Sequence, residues 1–344
     1  MFEADKKELL EGVKNLQKPS ILVIGDMAID EMVYGNTDRM SREAPVLILR
    51  HYDTKIILGA ASNAAHNAAS LNGGRVSVLG VCGDDYYSSI LLETFKRAGI
   101  NTEYMVKDKE RATTVKTRIS GSCSQSVTQQ IVRIDRETTA PLSKETEDKI
   151  LAAIESAVPK HDGILLSDYN IGVLTDKVIK RAIELAKKYN KIITVDAQKD
   201  LDRFQGVSSM TPNQPDSENF SGVKIKDIET LKKAGNIILS KTNADSILIT
   251  LGGEGMALFE KNGSFTKIPV FNKKDVFDVT GAGDTAAAVF TLALSAGISR
   301  KNAALLSNIA SSIVIRYFGC AVTKPDDLAS AVNQMEFEKI KETL

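Results

Sequence analysis

Gly163-Ile164-Leu165-Leu166-Ser167-Asp168, an apolar run that stops on an acid, is the stretch from which the fold is read. Four continuous apolar residues, Gly163 to Leu166, without polar alternation suit a strand buried on both faces, as in a parallel sheet. The flanking segments repeat the theme. A helical pattern covers Ser143 to Val158, a second Asp176 to Tyr189, and a strand follows at Lys191 to Val195. A further strand is expected near Ser209 to Thr211, then a helix from Asp227 to Ser240 and a strand from Ser246 to Thr250. Two long helices, Gly283 to Ala296 and Arg300 to Tyr317, close the succession. Strands alternating with helices predict an α/β fold: a doubly wound, mostly parallel sheet with helices on both faces.

Upstream, Ser20 to Gly25 reads as another buried strand, Ala60 to Leu71 as a closely packed Ala-rich helix, Val76 to Val81 as a strand and Asp85 to Ala98 as a helix ended by Gly99. Two regions do not fit the βα rhythm. Residues 32–50 and 113–135 carry short extended pieces, some alternating, and are expected to form a small antiparallel sheet inserted as a lid. The organisation expected is an N-terminal helical extension (1–18), one main domain (19–335) and a short tail (336–344).

Composition narrows the function classes. The 344 residues are 43% hydrophobic and 26% charged, with 44 Lys plus Arg against 44 Asp plus Glu. A net charge near zero supplies no global field for nucleic acid or an anionic membrane, so neither is expected as a partner. No apolar run approaches the roughly 20 residues a bilayer requires, and no h-region opens the chain. Cys82, Cys123 and Cys320 are odd in number and far apart, which suggests reduced thiols and a cytoplasmic location.

The chemistry concentrates in Asp278-Val279-Thr280-Gly281-Ala282-Gly283-Asp284, directly before a strong helix. Small residues let the backbone approach a ligand closely, and the N–H groups of a helix N-terminus favour anions. Asp284, on the first turn, is either an ordinary first-turn acid or a base beside bound phosphates. No Gly-x4-Gly-Lys-Ser/Thr loop is present; Gly252-Gly253-Glu254-Gly255 follows a strand and is either a plain turn or the flank of a nucleotide. Asp168, at the carboxyl end of a parallel strand, sits where ligands of open sheets gather. Arg133 and Asp135 alternate on one strand and so share a face, as an ion pair or as contacts to a sugar or its phosphate.

The Asp-x-Thr-Gly-Ala-Gly-Asp stretch, with Gly25-Asp26 and Asp30 far upstream, resembles the ribokinase-like (PfkB) carbohydrate kinases over about the whole chain after the first strand. Tyr34-Gly35, Ser41-Arg42-Glu43-Ala44-Pro45-Val46, Arg133-Ile134-Asp135, Leu166-Ser167-Asp168-Tyr169 and Thr211-Pro212-Asn213 look like the kinase domain of the heptose-7-phosphate kinase/ADP-heptose synthase group. That resemblance implies ATP-dependent phosphorylation of the anomeric hydroxyl of D-glycero-D-manno-heptose 7-phosphate. A kinase for another sugar, sugar phosphate or nucleoside, and a non-catalytic nucleotide- or sugar-binding regulator, are the alternatives.

Carried over by position, the resemblance makes Asp284 the base and the amides of Gly281, Ala282 and Gly283 the hole for developing charge. Asp30 and Asn63 would hold sugar hydroxyls, with Gly59 as a hinge for the lid. Thr250, Gly252 and Gly255 would flank ATP, and Asn308 would lie near the adenine. Asn213 and Asp216 would organise phosphate and Mg2+, with Asp216 acting through water. Asp278 and Thr280 resemble ligands of a monovalent cation such as K+. The chain departs from the pattern at Ala60 (for Gly), at Asp216 (for Glu), and at Ile171 and Gln198, where the heptose group tends to carry Lys and Pro-Lys. Glu218 and Lys199 are the expected substitutes for the altered acid and the altered lysine. A homodimer through the exposed lid strands is expected, because open sheet edges invite pairing.

Overall fold

In a computed structural model, residues 6–123, 128–271 and 276–334 are described. The expected tail, 336–344, lies outside them.

Eight strands form the main sheet. In chain order they are β1 (Ile21–Gly25), β4 (Val76–Leu79), β9 (Gly163–Asp168), β10 (Ile192–Ala197), β11 (Ser209–Met210), β12 (Ser246–Thr250), β13 (Met256–Glu260) and β14 (Phe265–Ile268). Their spatial order is β14-β13-β12-β11-β10-β9-β1-β4. All neighbours from β12 to β4 are parallel; β13 and β14 add an antiparallel hairpin at one edge. Every residue of β1 and of β9 is buried, as a sheet covered on both faces requires. The pleat divides β1 between two cores: Ile21 and Val23 point to one cluster, Leu22 and Ile24 to the other.

One face is covered by α1 (Lys6–Asn15), α2 (Ala61–Asn72), α3 (Tyr86–Arg97), α8 (Ala282–Ser295), α9 (Arg300–Val314) and α10 (Pro325–Gln334). The other packs against α4 (Lys144–Ala157), α5 (Asp176–Lys188) and α7 (Ile228–Thr242), with the short α6 (Gln214–Ser221) beside β12. From β1 the chain runs outward to β4, then returns to lay β9 on the opposite side of β1. The sheet therefore changes winding direction between β1 and β9, and a crevice opens beyond their carboxyl ends, at Asp26 and Asp168.

The second sheet has the order β3-β2-β7-β8, from β2 (Met27–Met40), β3 (Leu47–Ala60), β7 (Thr114–Ser122) and β8 (Gln129–Arg136). The remaining strands, β5 (Val81–Cys82) and β6 (Val106–Lys107), pair with each other. Two expectations are corrected here. The lid is not wholly antiparallel, because β2 and β7 run parallel. Its strands are also longer than read: β2 starts one residue after β1 ends, and β3 runs without a break into α2.

Candidate active site

Helix α8 is buried on nearly its whole circumference and carries its first turn into the crevice. Gly281 caps it with φ 80°, a left-handed backbone, and a Cβ there would meet Asn63 Nδ2 at 2.6 Å. Only glycine satisfies both demands. Of the three amides expected in the anion hole, that of Ala282 donates instead to Val279 O at 3.2 Å.

Asp284 is 5% exposed, and both its oxygens are held. Asn63 Nδ2 donates to Oδ2 at 2.7 Å, and Tyr169 Oη to Oδ1 at 2.5 Å. Asn63 is fixed in turn: Asn67 Nδ2 donates to its Oδ1 at 3.1 Å, and Thr285 Oγ1 donates to Asn67 Oδ1 at 2.9 Å. Asn63 is thus fully buried and spends its amide on the carboxylate of α8, where the resemblance had it holding a sugar hydroxyl.

Around Asp284 lies a polar cavity of about 130 Å³ lined by Asp168, Tyr169, Asp196, Gln198, Thr211, Asn213, Asp216, Thr250, Gly281 and Gly283. Four carboxylates share it. Burial pushes Asp284 up to about 6 against the Tyr169 and Asn63 hydrogen bonds, and burial with the neighbouring Asp284 charge pushes Asp196 up to about 7. Burial likewise raises Asp168 and Asp216 to about 6 each. Asp168 also faces Arg203 Nη1 at 3.3 Å. Asn213 caps α6 by accepting from Asp216 N at 2.8 Å. Glu218 does not replace Asp216: Lys224, Gln214 and the Ile225 amide hold it elsewhere and pull its carboxyl down to about 2. Nor does Lys199 line the cavity; Gln198 does.

Beyond the first turn of α8 opens a more apolar cavity of about 490 Å³. Thr250, Gly252, Gly255, Ala282, Gly283 and Asn308 line it together with Val270, Val276, Val279 and Ile315. Asn308 is turned onto the backbone, its Nδ2 donating to Pro269 O at 2.8 Å. On the other side of the 277–280 segment, a cavity of about 300 Å³ separates the lid from the body. Asp30, Met32, Arg118, Ser120 and Gln130 line it from the lid, and Phe277, Asp278, Thr280, Phe318 and Cys320 from the body. Arg118 Nη1 sits 2.8 Å from Asp30 Oδ1 in an orientation that makes an ion pair rather than a directed hydrogen bond. Cys320 Sγ donates to Asp30 Oδ2 at 3.5 Å.

Gly59 is explained by Asp30 as well. A Cβ at 59 would lie 2.8 Å from the Asp30 carboxyl, so the glycine makes room for the acid, and its own φ is not positive. The positive φ falls on the next residue: Ala60 has φ 50° and ψ −136°, a conformation suited to glycine. Asp278 accepts from Thr280 N and Oγ1 (2.9 and 2.7 Å) and from Gly319 N (2.9 Å). Burial raises its carboxyl, but these donors outweigh burial and leave it below the usual range.

Arg133 and Asp135 do not line this cavity; they make a bidentate pair with both contacts at 2.7 Å on the exposed part of β8. They nevertheless share the site-facing side of the lid, since Arg133 is in register with Arg118 and Asp135 with Lys116. Sequence reasoning missed Tyr169, Asp196, Lys116 and Arg118 as site residues. The carboxyl-end position of Asp196 on a parallel strand was the signal that could have found it.

A cleft and a polar cavity that share Thr250 and Gly283, a buried carboxylate on a helix N-terminus in the second of them, and a further cavity under the lid are the parts a small-molecule phosphotransferase needs. The model of the pfkB family carbohydrate kinases matches residues 18–327, and the chain belongs to that family, whose members transfer a phosphoryl group to a sugar hydroxyl. Among curated relatives it is similar to the bifunctional protein HldE of Pelobacter propionicus, 37% identical over 329 residues that cover 95% of this chain and 66% of that protein. HldE of Helicobacter pylori is likewise 37% identical, covering 94% of this chain and 70% of its own length. The chain spans about two thirds of the length of these relatives. Among solved structures, Arabidopsis thaliana ribokinase complexed with ribose and ATP superposes with a TM-score of 0.71 at 16% identity, covering 92% of this chain and 99% of that one. Phosphofructokinase-2 from Escherichia coli in complex with potassium gives 0.73 at 16% identity, covering 92% and 98%. These two likenesses concern the fold. Among the described residues, no helix is long and apolar enough to cross a membrane.

Proposed function

We propose that this chain uses ATP to phosphorylate the anomeric hydroxyl of a phosphorylated sugar, D-glycero-D-manno-heptose 7-phosphate. The observation that carries the choice of acceptor is the cationic rib of the lid. Lys116, Arg118 and Arg133 share the face that holds Asp30, three cations set against Asp30 and Asp135. Arg118 pairs with Asp30 and Arg133 with Asp135, which leaves the face one positive charge in excess for an acceptor bearing its own phosphate, and Arg118 also lines the cavity between lid and body. HldE relatives at 37% identity support the same acceptor class.

In this reading the acceptor hydroxyl points at Asp284, which takes its proton, with Asp30 holding a neighbouring hydroxyl. The amides at the N-terminus of α8, at Gly281 and Gly283, receive the charge that develops on the transferred group. ATP lies in the 490 Å³ cleft between Gly252–Gly255 and Asn308. Among the described residues no cluster of three acidic, His or Cys groups could hold a metal by itself; Mg2+ needs none, since it keeps several waters and takes one or two carboxylates together with phosphates. Asp216, through water, and Asn213 would hold it, and when bound it would neutralise phosphate charge. Asp278 and Thr280 would attend a monovalent cation beside the loop.

The lid face opposite the site carries Val33, Ile119, Val132 and Ile134, the last two 44% and 41% exposed. A second copy of the chain covering that face would give a homodimer.

Purified protein incubated with Mg-ATP and a panel of heptose 7-phosphate, ribose, fructose 6-phosphate and nucleosides tests the reading. Product from heptose 7-phosphate alone is expected. Transfer only to acceptors without a phosphate would overturn the role given to the cationic rib.

A further inference from the structure

We propose that Tyr169 is a positioning residue for Asp284, its hydroxyl aiming the carboxylate at the acceptor and keeping it a proton acceptor. The inference rests on the reading above that Asp284 is the base, and it concerns a residue 115 positions away in the chain.

The loop that carries Tyr169 is anchored from two sides. Asp26, at the end of β1, accepts from the backbone N–H groups of Tyr169, Ile171 and Val173 at 2.9, 3.0 and 3.1 Å. Arg111 holds the same loop from the lid side, its Nη2 donating to Ile171 O at 2.7 Å while Nη1 donates to Ala140 O at 2.5 Å. A phenol on so fixed a loop has little freedom to leave the carboxylate. Its 2.5 Å distance falls in the range of charge-assisted O–H···O⁻ bonds.

The surroundings show why Asp284 needs such a donor. It faces Asp196 from β10, Asp30 from β2 and Cys320, with Asp168 and Asp216 in the same cavity. Lys116 of β7 is a cation that acts on it, its Nζ lying 5.0 Å from the centre of the Tyr169 ring. Ionised Asp284 is therefore disfavoured by burial and by its acidic neighbours, and the two neutral donors, Asn63 and Tyr169, oppose that. The tyrosine stays a donor throughout the working range, because burial and the adjacent carboxylate push its own hydroxyl further up. Both hydrogen bonds leave Asp284 a second lone pair on each oxygen, so the acceptor hydroxyl retains a place to bond.

The sign of the effect follows. A donor to the carboxylate favours its charged form, so removing it raises the pH at which Asp284 ionises. Turnover that needs the ionised base then fails at low pH and recovers at high pH.

The test is Tyr169→Phe, which keeps the ring and removes the hydroxyl. The pH profile of kcat/KM for the acceptor is compared with that of the unsubstituted protein. In parallel, the carboxyl titration of Asp284 is followed by 13C NMR on aspartate-labelled protein without substrates. The acid limb and the NMR midpoint are both expected to move up by at least about one pH unit, a tenfold loss below the limb, since hydrogen bonds to charged groups are the stronger ones. At the high-pH plateau, where Asp284 is ionised in both proteins, a residual loss of roughly tenfold is expected because the carboxylate is no longer aimed. An unmoved limb with a lower KM for the acceptor would show that the hydroxyl merely fills the acceptor's place, and would overturn the proposal. If the unsubstituted protein phosphorylates no acceptor, the base assignment falls; an NMR midpoint that still moves upholds the hydrogen bond, and one that stays put removes it.

Discussion

Asp284→Asn is the substitution on which the assignment of the base turns, and the structure lets its two consequences be separated. The change is isosteric, but it is not silent at the hydrogen bonds. Tyr169 can still donate to the remaining carbonyl oxygen. The new NH2 group, however, faces Asn63 Nδ2, a donor against a donor, and Asn63 cannot simply flip, because Asn67 occupies its Oδ1. An unmet buried pair of this kind costs roughly 1–3 kcal/mol.

Against that stands the charge removed. Asp284 ionises at about 6 in the folded chain, up from the ordinary 3.8, which corresponds to roughly 3 kcal/mol of stability lost on ionisation. A folded value above the unfolded one means that this stability is present below pH 3.8 and is lost as the pH rises through about 6. At pH 7.5 the gain and the loss nearly cancel, and the variant should unfold within about 2 kcal/mol of the parent. At pH 4 only the donor clash remains, and the variant should be the less stable. Turnover, by contrast, should fall at least about a hundredfold at every pH, the usual contribution of an acid–base group. Denaturant melts at the two pH values and steady-state transfer assays read these effects separately. Turnover near the parental rate in a folded variant would refute the base assignment; a stability difference from the parent that is the same at both pH values would refute the account of its environment.

Two further outcomes follow from strain and charge. Ala60→Gly should raise stability by about 1 kcal/mol, seen as one to three degrees in Tm, because relief of the backbone strain exceeds the added freedom of the unfolded chain; an unchanged or lower Tm would mean that the positive φ at 60 carries no strain. Asp196→Asn should stabilise the ligand-free chain at pH 8 by on the order of 1–2 kcal/mol, allowing for water in the cavity, and by nothing near pH 4. The sign follows from the rise of the Asp196 carboxyl to about 7: its contribution is fully present below 3.8 and is lost as the pH climbs through about 7. Parallel melts at the two pH values check this, and an equal shift at both would sink it.

The parallel sheet was legible because β1, β9 and β12 are short apolar runs with no polar alternation. The lid was harder to read. β2 has buried Asp30 in its middle and Gly35-Asn36 beyond, so its hydrophobic pattern breaks although the strand does not. Its parallel pairing with β7 joins residues far apart in the chain, a contact that no local pattern records. The β13–β14 hairpin was missed although Asn262-Gly263, a strong hairpin signal, stands between its strands. Helix α6 was missed because Asn213 was weighed as a ligand, yet Asn213, Pro215 and Gly222 are also a cap, a first-turn proline and a left-handed stop. At the site, Gly281 and Asp284 were legible because adjacent residues carry the meaning. Tyr169 on Asp284, Lys116 over Tyr169 and Asp30 against Gly59 arise from tertiary approach and have no sequence signature.

The single residue between β1 and β2 has a bearing on how acceptor preference can change over time. Since β2 leaves the core strand almost at once, its pleat is phased by β1: Asp30 and Met32 look into the cavity, while Glu31 and Val33 look away. One residue inserted before Asp30 would invert every side chain that follows, presenting Glu31 and Val33 to the sugar and withdrawing the acid. Two residues would restore the faces one step further along. Between Asp26 and Val33, before the irregularities at Tyr34/Gly35 and Thr37/Arg39 that absorb single residues, length variation therefore favours even numbers, and a lineage exploring new acceptors can proceed by exchanging side chains in place more readily than by gaining or losing them one at a time.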